Sequence, residues 1–158
     1  MISALFAIDN KGGMGFQGIM PWPLNKDDMK FFKSITTGQT VVMGRKTWDS
    51  PDMPSPLPNR RNVLFTSEFL ERSDIVQAKG DVCETLKFMK EEDPNEIFVI
   101  GGANLIQQAK PVIERIFLTR IPGEYQCDTF IDIDNFLSGF TLINTHNLGT
   151  CQVEEYKK

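Results

Sequence analysis

The chain predicts an α/β fold: a mainly parallel, eight-stranded mixed sheet flanked by about four helices, forming one domain over residues 1–158 and closed by a C-terminal antiparallel hairpin. Three observations carry that expectation. Short apolar runs alternate with helical segments along most of the chain, the pattern of strands joined by helical crossovers. The last two runs are joined instead by Asn147-Leu148-Gly149-Thr150, which suits a hairpin. At 158 residues the chain is long enough to bury one sizeable core.

In order, the strands are expected at Ile2–Ile8, Thr40–Met43, Asn62–Thr66, Ile75–Ala78, Ile97–Ile100, Ile116–Ile121, Thr141–His146 and Cys151–Tyr156, each a run rich in β-branched or aromatic residues. Between them, Asn25–Ile35 has helical periodicity, and Lys46–Ser50 is a short second helix. Asp81-Val82-Cys83-Glu84 has the form of a capping box opening a helix to about Glu91. Ala103–Ala109 is a fourth helix, stopped before Pro111. Pro51, Pro54, Pro56 and Pro58 mark a stiff surface loop.

A helix through Asn25–Thr36, turning about 100° per residue, sets Leu24, Phe31, Phe32 and Ile35 on one stripe. Asp28 lies inside that stripe and Asp27 at its edge. Asn25 or Asp27 can cap the helix, and acids are favoured in a first turn by the free N–H groups and the dipole. For Asp28 a second reading stands beside that one. A carboxylate removed from water needs a partner or a raised pKa, which in a cleft makes it a candidate proton handler or ligand anchor.

Gly13-Met14-Gly15-Phe16-Gln17-Gly18 matches the glycine spacing of a dinucleotide fingerprint. Pro21 and Pro23 follow at once, so no helix opens there, and the segment reads as a mobile loop able to close over a site. Two other turns suit an anion better. In Met43-Gly44-Arg45-Lys46-Thr47-Trp48 an apolar strand passes through glycine into a helix that starts with two basic residues. In Ile100-Gly101-Gly102-Ala103-Asn104 adjacent glycines precede another helix start. Free N–H groups at such termini bind phosphate, although either glycine could serve tight packing alone. Thr66-Ser67, at the end of another strand, can donate hydroxyls.

The net charge of −4 argues against a general nucleic-acid binder. A local basic patch does exist, with Arg45, Lys46, Arg60 and Arg61 set against Asp49 and Asp52. Cys83, Cys127 and Cys151 suit reduced thiols in the cytoplasm better than a disulfide framework or a zinc site. His146, the one histidine, has no catalytic motif around it. No signal peptide, membrane span or metal site is expected.

Together these residues resemble the dihydrofolate reductase family over nearly the whole chain. The match runs through Leu5-Phe6-Ala7, Met14-Gly15, Met20-Pro21-Trp22, Asp28-Met29 with Phe32 and Thr36, Met43–Trp48, Pro56-Leu57-Pro58 before Arg60, Ile100-Gly101-Gly102, Thr119 and Asp128-Thr129-Phe130. The resemblance implies NADPH-dependent reduction of 7,8-dihydrofolate to tetrahydrofolate, with hydride reaching C6 and a proton N5, in support of one-carbon metabolism and thymidylate synthesis. It implies a cytoplasmic monomer acting on a small molecule, with neither nucleic acid nor membrane as partner. Asp28 would hold the pterin, supported by Trp22 and Thr119, with Met20 completing the catalytic group. Leu5, Phe6, Ala7, Met29, Phe32, Leu57 and Ile100 would line the folate pocket, and Arg60 would pair with the glutamate carboxylate. Ala7, Met14, Gly15, Met20, Ile100, Gly101 and Gly102 would surround the nicotinamide half of the cofactor. Lys46, Thr47 and Ala103 would meet the pyrophosphate, Gly44 and Asn104 would also touch the cofactor, and Arg45, Thr66 and Ser67 would hold the 2′-phosphate.

The chain departs from the family pattern at several positions. Trp22 to Asp28 is one residue longer than usual, leaving Asp27 at the usual offset; helical phase and downstream register both favour Asp28. Asn59 stands where glycine is common, Ile106 where a tyrosine often faces the nicotinamide amide, and Asn104 where a basic residue is frequent. A ribosylaminopyrimidine reductase of the same fold and a non-catalytic nucleotide-binding module are the alternative readings.

Overall fold

The computed structural model describes residues 1–158. Its strands are β1 (Ile2–Ile8), β2 (Gly13–Gly15), β3 (Thr40–Gly44), β4 (Arg61–Phe65), β5 (Val76–Ala78), β6 (Ile97–Gly101), β7 (Arg115–Arg120), β8 (Thr129–Phe130), β9 (Thr141–Asn147) and β10 (Gln152–Lys157). Eight of them form one sheet in the order β5-β4-β3-β6-β1-β7-β10-β9, while β2 and β8 pair separately. Neighbours from β5 to β7 run parallel; β10 is antiparallel to both β7 and β9. The expected mixed sheet and final hairpin are present.

Five α-helices cover the sheet: α1 (Lys26–Thr36), α2 (Arg45–Trp48), α3 (Val82–Glu92), α4 (Ala103–Ala109) and α5 (Ile133–Leu137). The expectation of about four omitted α5, and the β2–β8 pair was not foreseen either. Both are too short to show a hydrophobic period. α5 depends on Asp132, which accepts from the Asn135 N–H, and on Phe136, which meets Phe6 edge-on with ring centroids 5.6 Å apart.

Central strands are apolar on both faces because each face is covered. On one side, Ile2, Ala4, Phe6 and Ile8 of β1 join Leu86 and Met89 of α3 and Leu105, Ile106 and Ala109 of α4. On the other, Leu5, Val41, Met43, Phe98 and Phe117 receive Phe31, Phe32 and Ile35 of α1. Leu24, expected on that stripe, is instead exposed, because it precedes the cap and lies outside the helix.

One buried polar junction lies away from the cleft. The Asp93 carboxylate at the end of α3 accepts from the Thr40 hydroxyl, from the Asn95 N–H at 2.9 Å and from Arg61 Nη1 at 3.0 Å. Burial alone would raise its pKa, but these donors outweigh it and hold the carboxyl below its ordinary value of 3.8. A depressed folded-state pKa contributes stability above the unfolded value, and this is lost as pH falls through the folded one. Asp93→Ala is therefore expected to destabilise the protein by about 3 kcal/mol at pH 7. The loss should shrink below pH 3.8, as measured by urea unfolding at both pH values.

Candidate active site

In an open α/β sheet, ligands bind beyond the carboxyl ends of parallel strands where the chain order reverses. Here β3 and β6 are neighbours whose chains lead opposite ways, β3 through α2 on one face to β4 and β6 through α4 on the other face to β7. The carboxyl ends of β3 and β6 open into a cleft of about 1960 Å³. A pocket for one drug-sized ligand is roughly 300–1,000 Å³, so the cleft has room for two ligands side by side. Every residue assigned to the site from sequence lines it.

Asp28 is aimed into the cleft by the start of its helix. Asn25 caps α1, its side chain accepting from the Asp28 N–H at 2.9 Å, and this sets the helical phase. Thr119, on β7, donates its hydroxyl to Asp28 Oδ1 at 2.7 Å. Burial pushes the Asp28 carboxyl above the usual carboxylate value, against the opposing pull of the Thr119 bond. Asp27 does not cap the helix. Its Oδ2 accepts from the Thr150 hydroxyl at 2.6 Å and the Thr150 N–H at 3.2 Å, which hold its carboxyl below the ordinary value. The hairpin turn between β9 and β10 is thus fastened to α1. Trp22 makes no direct hydrogen bond to Asp28. It is buried with Ile121 and Cys151 behind the helix start and meets Tyr125 edge-on. The Cys151 thiol is pushed up to about 11, first by burial and then by the charges of Asp28 and Asp27.

Leu5, Ala7, Leu57, Ile100, Met29 and Phe32 form the apolar wall of this half of the cleft, with Met29 half exposed; Phe6 also lines the cleft, but its ring packs on the other face of the sheet against Phe136. Beyond them Arg60 Nε donates to Thr36 Oγ1 at 2.9 Å and Nη1 to the Pro58 carbonyl at 3.0 Å, and Cζ lies 5.8 Å from the Phe32 ring centroid. The guanidinium is held in place with Nη2 unspent. The turn before it is left-handed at Asn59, φ 61°. Asparagine is among the few non-glycine residues that visit this region, so its replacement of the usual glycine leaves the turn intact.

The other half of the cleft suits a phosphorylated ligand. Gly44 and Gly102 precede α2 and α4 without side-chain caps, leaving helix N–H groups free for an anion. Arg45, Lys46, Thr47, Ala103 and Asn104 surround them. Gly101 has φ +149°, and a Cβ there would lie 2.9 Å from Thr47 Oγ1; only glycine lets β6 end this close to α2. Ser67 presents a hydroxyl with no protein partner, whereas Thr66 donates to the Glu68 carbonyl at 2.9 Å and shapes the turn. Ile106 faces away from the cleft, fully buried in the core.

The glycine-rich segment forms one side of the cleft, where a closing loop was expected. Gly13–Gly15 pair with β8, and Gln17 and Gly18 turn the chain at φ 49° and 81°. Asp9 anchors its base: this buried carboxylate accepts from the N–H groups of Lys11, Gly13 and Tyr125. Burial pushes the Asp9 pKa up, but those bonds hold it below the usual value. Asp128 Oδ2 accepts from the Gln17 N–H at 2.8 Å and Asp52 Oδ2 from the Met20 N–H at 2.8 Å. Reading the sequence missed these anchors and also Lys79, at the cleft rim after β5. A lone acid in a loop carries no local mark of the backbone it meets.

The family model for dihydrofolate reductase matches residues 1–157. A dihydrofolate reductase of Bacillus subtilis (strain 168) is 38% identical over 132 residues, covering 81% of this chain and 73% of that protein. The type 8 dihydrofolate reductase of Escherichia coli is 31% identical over 145 residues, 88% of this chain and 85% of its own. Among solved structures, the dihydrofolate reductase from Enterococcus faecalis complexed with NADP(H) and RAB-propyl superposes with a TM-score of 0.80 at 28% identity, covering 99% of this chain and 95% of that one.

Proposed function

This chain belongs to the dihydrofolate reductase family, and from that premise we propose that Asp28 is the group that prepares the substrate for reduction. The protein is an NADP-dependent oxidoreductase that reduces 7,8-dihydrofolate to 5,6,7,8-tetrahydrofolate and so serves one-carbon metabolism. NADPH, when bound, supplies the hydride that reaches C6 of the pterin. The cleft fits it: two uncapped helix starts, the close approach at Gly101 and the cations of Arg45 and Lys46 form an anion cradle beside an apolar pocket.

The observation that carries the reading is the Asp28 carboxylate, raised in pKa by burial and hydrogen-bonded by Thr119 against an apolar wall. A carboxylate there accepts from the amino and ring N–H groups of a pterin. Its negative charge in a low-dielectric pocket then raises the basicity of N5. Thr119 keeps the carboxylate oriented, Trp22 fills the space behind it, and Phe32 and Leu57 hold the substrate's aromatic middle. Arg60 meets the glutamate tail as a bidentate donor; a ribosylaminopyrimidine has no such tail. Ala7, Met14, Gly15, Met20, Ile100, Gly101 and Gly102 enclose the nicotinamide, Gly44, Lys46, Thr47, Ala103 and Asn104 the pyrophosphate, and Arg45 and Ser67 the 2′-phosphate. The same reading makes the protein a monomer of one domain in the cytoplasm, without nucleic-acid or membrane partners. The net charge of −4 and three free thiols support it, and no helix is long and apolar enough to cross a membrane.

The direct test is NADPH oxidation followed by absorbance. Turnover is expected only when dihydrofolate and NADPH are both present. Binding of NADPH without turnover would favour the non-catalytic alternative.

A further inference from the structure

The glycine-rich loop, the lid expected from the sequence, is fastened by Asp128 and also by Asp52, which takes the Met20 N–H from a loop 32 residues further along the chain. Met20 and Asp52 both line the cleft. Asp52 is presented from a stiff arm: Pro51, Pro54, Pro56 and Pro58 restrict the loop. Ser50 Oγ accepts from the Asp52 N–H at 3.3 Å, Met53 N–H returns to the Ser50 carbonyl at 3.1 Å, and Ser55 Oγ donates to the carbonyl of buried Trp48 at 2.6 Å. The carboxylate is also uncommitted. Its neighbour Asp49 is paired with Arg45 at 3.0 Å, while Asp52 has no cationic partner. Opening the lid past this point therefore requires breaking one charge-assisted hydrogen bond between the two loops.

We propose that Asp52 is a positioning residue for the reductase reaction, a latch that holds Met20 over the cleft and so sets how long both ligands stay. The proposal rests on the placement of Met20 beside the cofactor given above. Asp52 touches neither the pterin anchor nor the anion cradle, so its effect falls on retention rather than on the chemical step. Where release limits turnover, loosening a lid raises KM without lowering kcat.

NADPH release into a competitor trap, followed by stopped-flow fluorescence, separates these quantities. Asp52→Ala is expected to release NADPH about tenfold faster than the native protein, with KM for NADPH rising and kcat not falling. Asp52→Asn, whose amide oxygen still accepts from Met20, should lie between the two. Release from Asp52→Ala within about twofold of native, or a fall in kcat with unchanged release, would overturn the latch. Native turnover is read in the same experiment. An inactive native protein counts against the functional reading, whereas an active one with unchanged release from the variant counts against the latch alone.

Discussion

Asp28→Asn is expected to lower kcat at pH 7 by about 10²–10⁴-fold, whereas Asp27→Asn should stay within about threefold of native. The two acids are adjacent, yet their surroundings are opposite. Asp28 meets Thr119 inside the cleft, and Asp27 meets Thr150 on the hairpin turn outside it. An asparagine at position 28 still accepts from Thr119 but carries no charge to raise the basicity of N5, and its N–H₂ opposes the pterin donors. Stability should move the other way. The folded-state pKa of Asp28 is raised by burial, so this acid favours folding below its unfolded value, and that contribution is lost as pH rises through the folded one. At pH 7 the ionised group weakens the unliganded fold, and the Asn variant should melt at a higher temperature than native. An inactive protein that is more stable cannot be explained by misfolding. The reverse pattern, with position 27 essential and 28 dispensable, would refute the assignment.

Arg45→Ala combined with Ser67→Ala is expected to cut kcat/KM for NADPH by about 10²–10³-fold and to change kcat/KM for NADH little. Only NADPH carries a 2′-phosphate, and hydrogen bonds to a charged group contribute about 1.5–3 kcal/mol each. Two lost together approach three decades in affinity. The guanidinium is already oriented, because Nε is tied to Asp49 Oδ2 at 3.0 Å while both Nη groups are unspent. Ser67 carries the hydroxyl share. Thr66 spends its own on the Glu68 carbonyl, so Thr66→Ala alone should act weakly and through the turn. Equal losses for the two cofactors would show that the anion held here is not the 2′-phosphate.

Much of this architecture was legible along the chain, for reasons that differ by element. The α3 start was visible because Asp81 meets the N–H of Glu84 three residues on, a contact within one turn. The buried strands were visible because both faces need apolar side chains. Asp28 was distinguished from Asp27 by helical phase, since Phe31, Phe32 and Ile35 define the apolar stripe in which it falls. The dinucleotide-like glycine spacing was set aside on local grounds, and the structure has a β2 strand and a tight turn there rather than a helix. The surroundings of Trp22 were less legible: the indole, expected to support Asp28, packs with Ile121 and Cys151 while also lining the cleft.

What the sequence determined by itself is what neighbours within one or two turns determine: the identities of the longer strands and helices, the α3 cap, the helical phase of Asp28, and the family. The tertiary structure alone decided which distant backbone groups each loop acid meets. Asp9 gathers the lid base, Asp27 fastens the hairpin, Asp93 joins two strand starts to a helix end, and Asp52 reaches Met20 from a loop 32 residues away. The physical reason is that periodicity and capping act over a few residues. A hydrogen bond between segments tens of residues apart exists only after the sheet has fixed their separation to within an ångström, and no spacing in the chain encodes that distance.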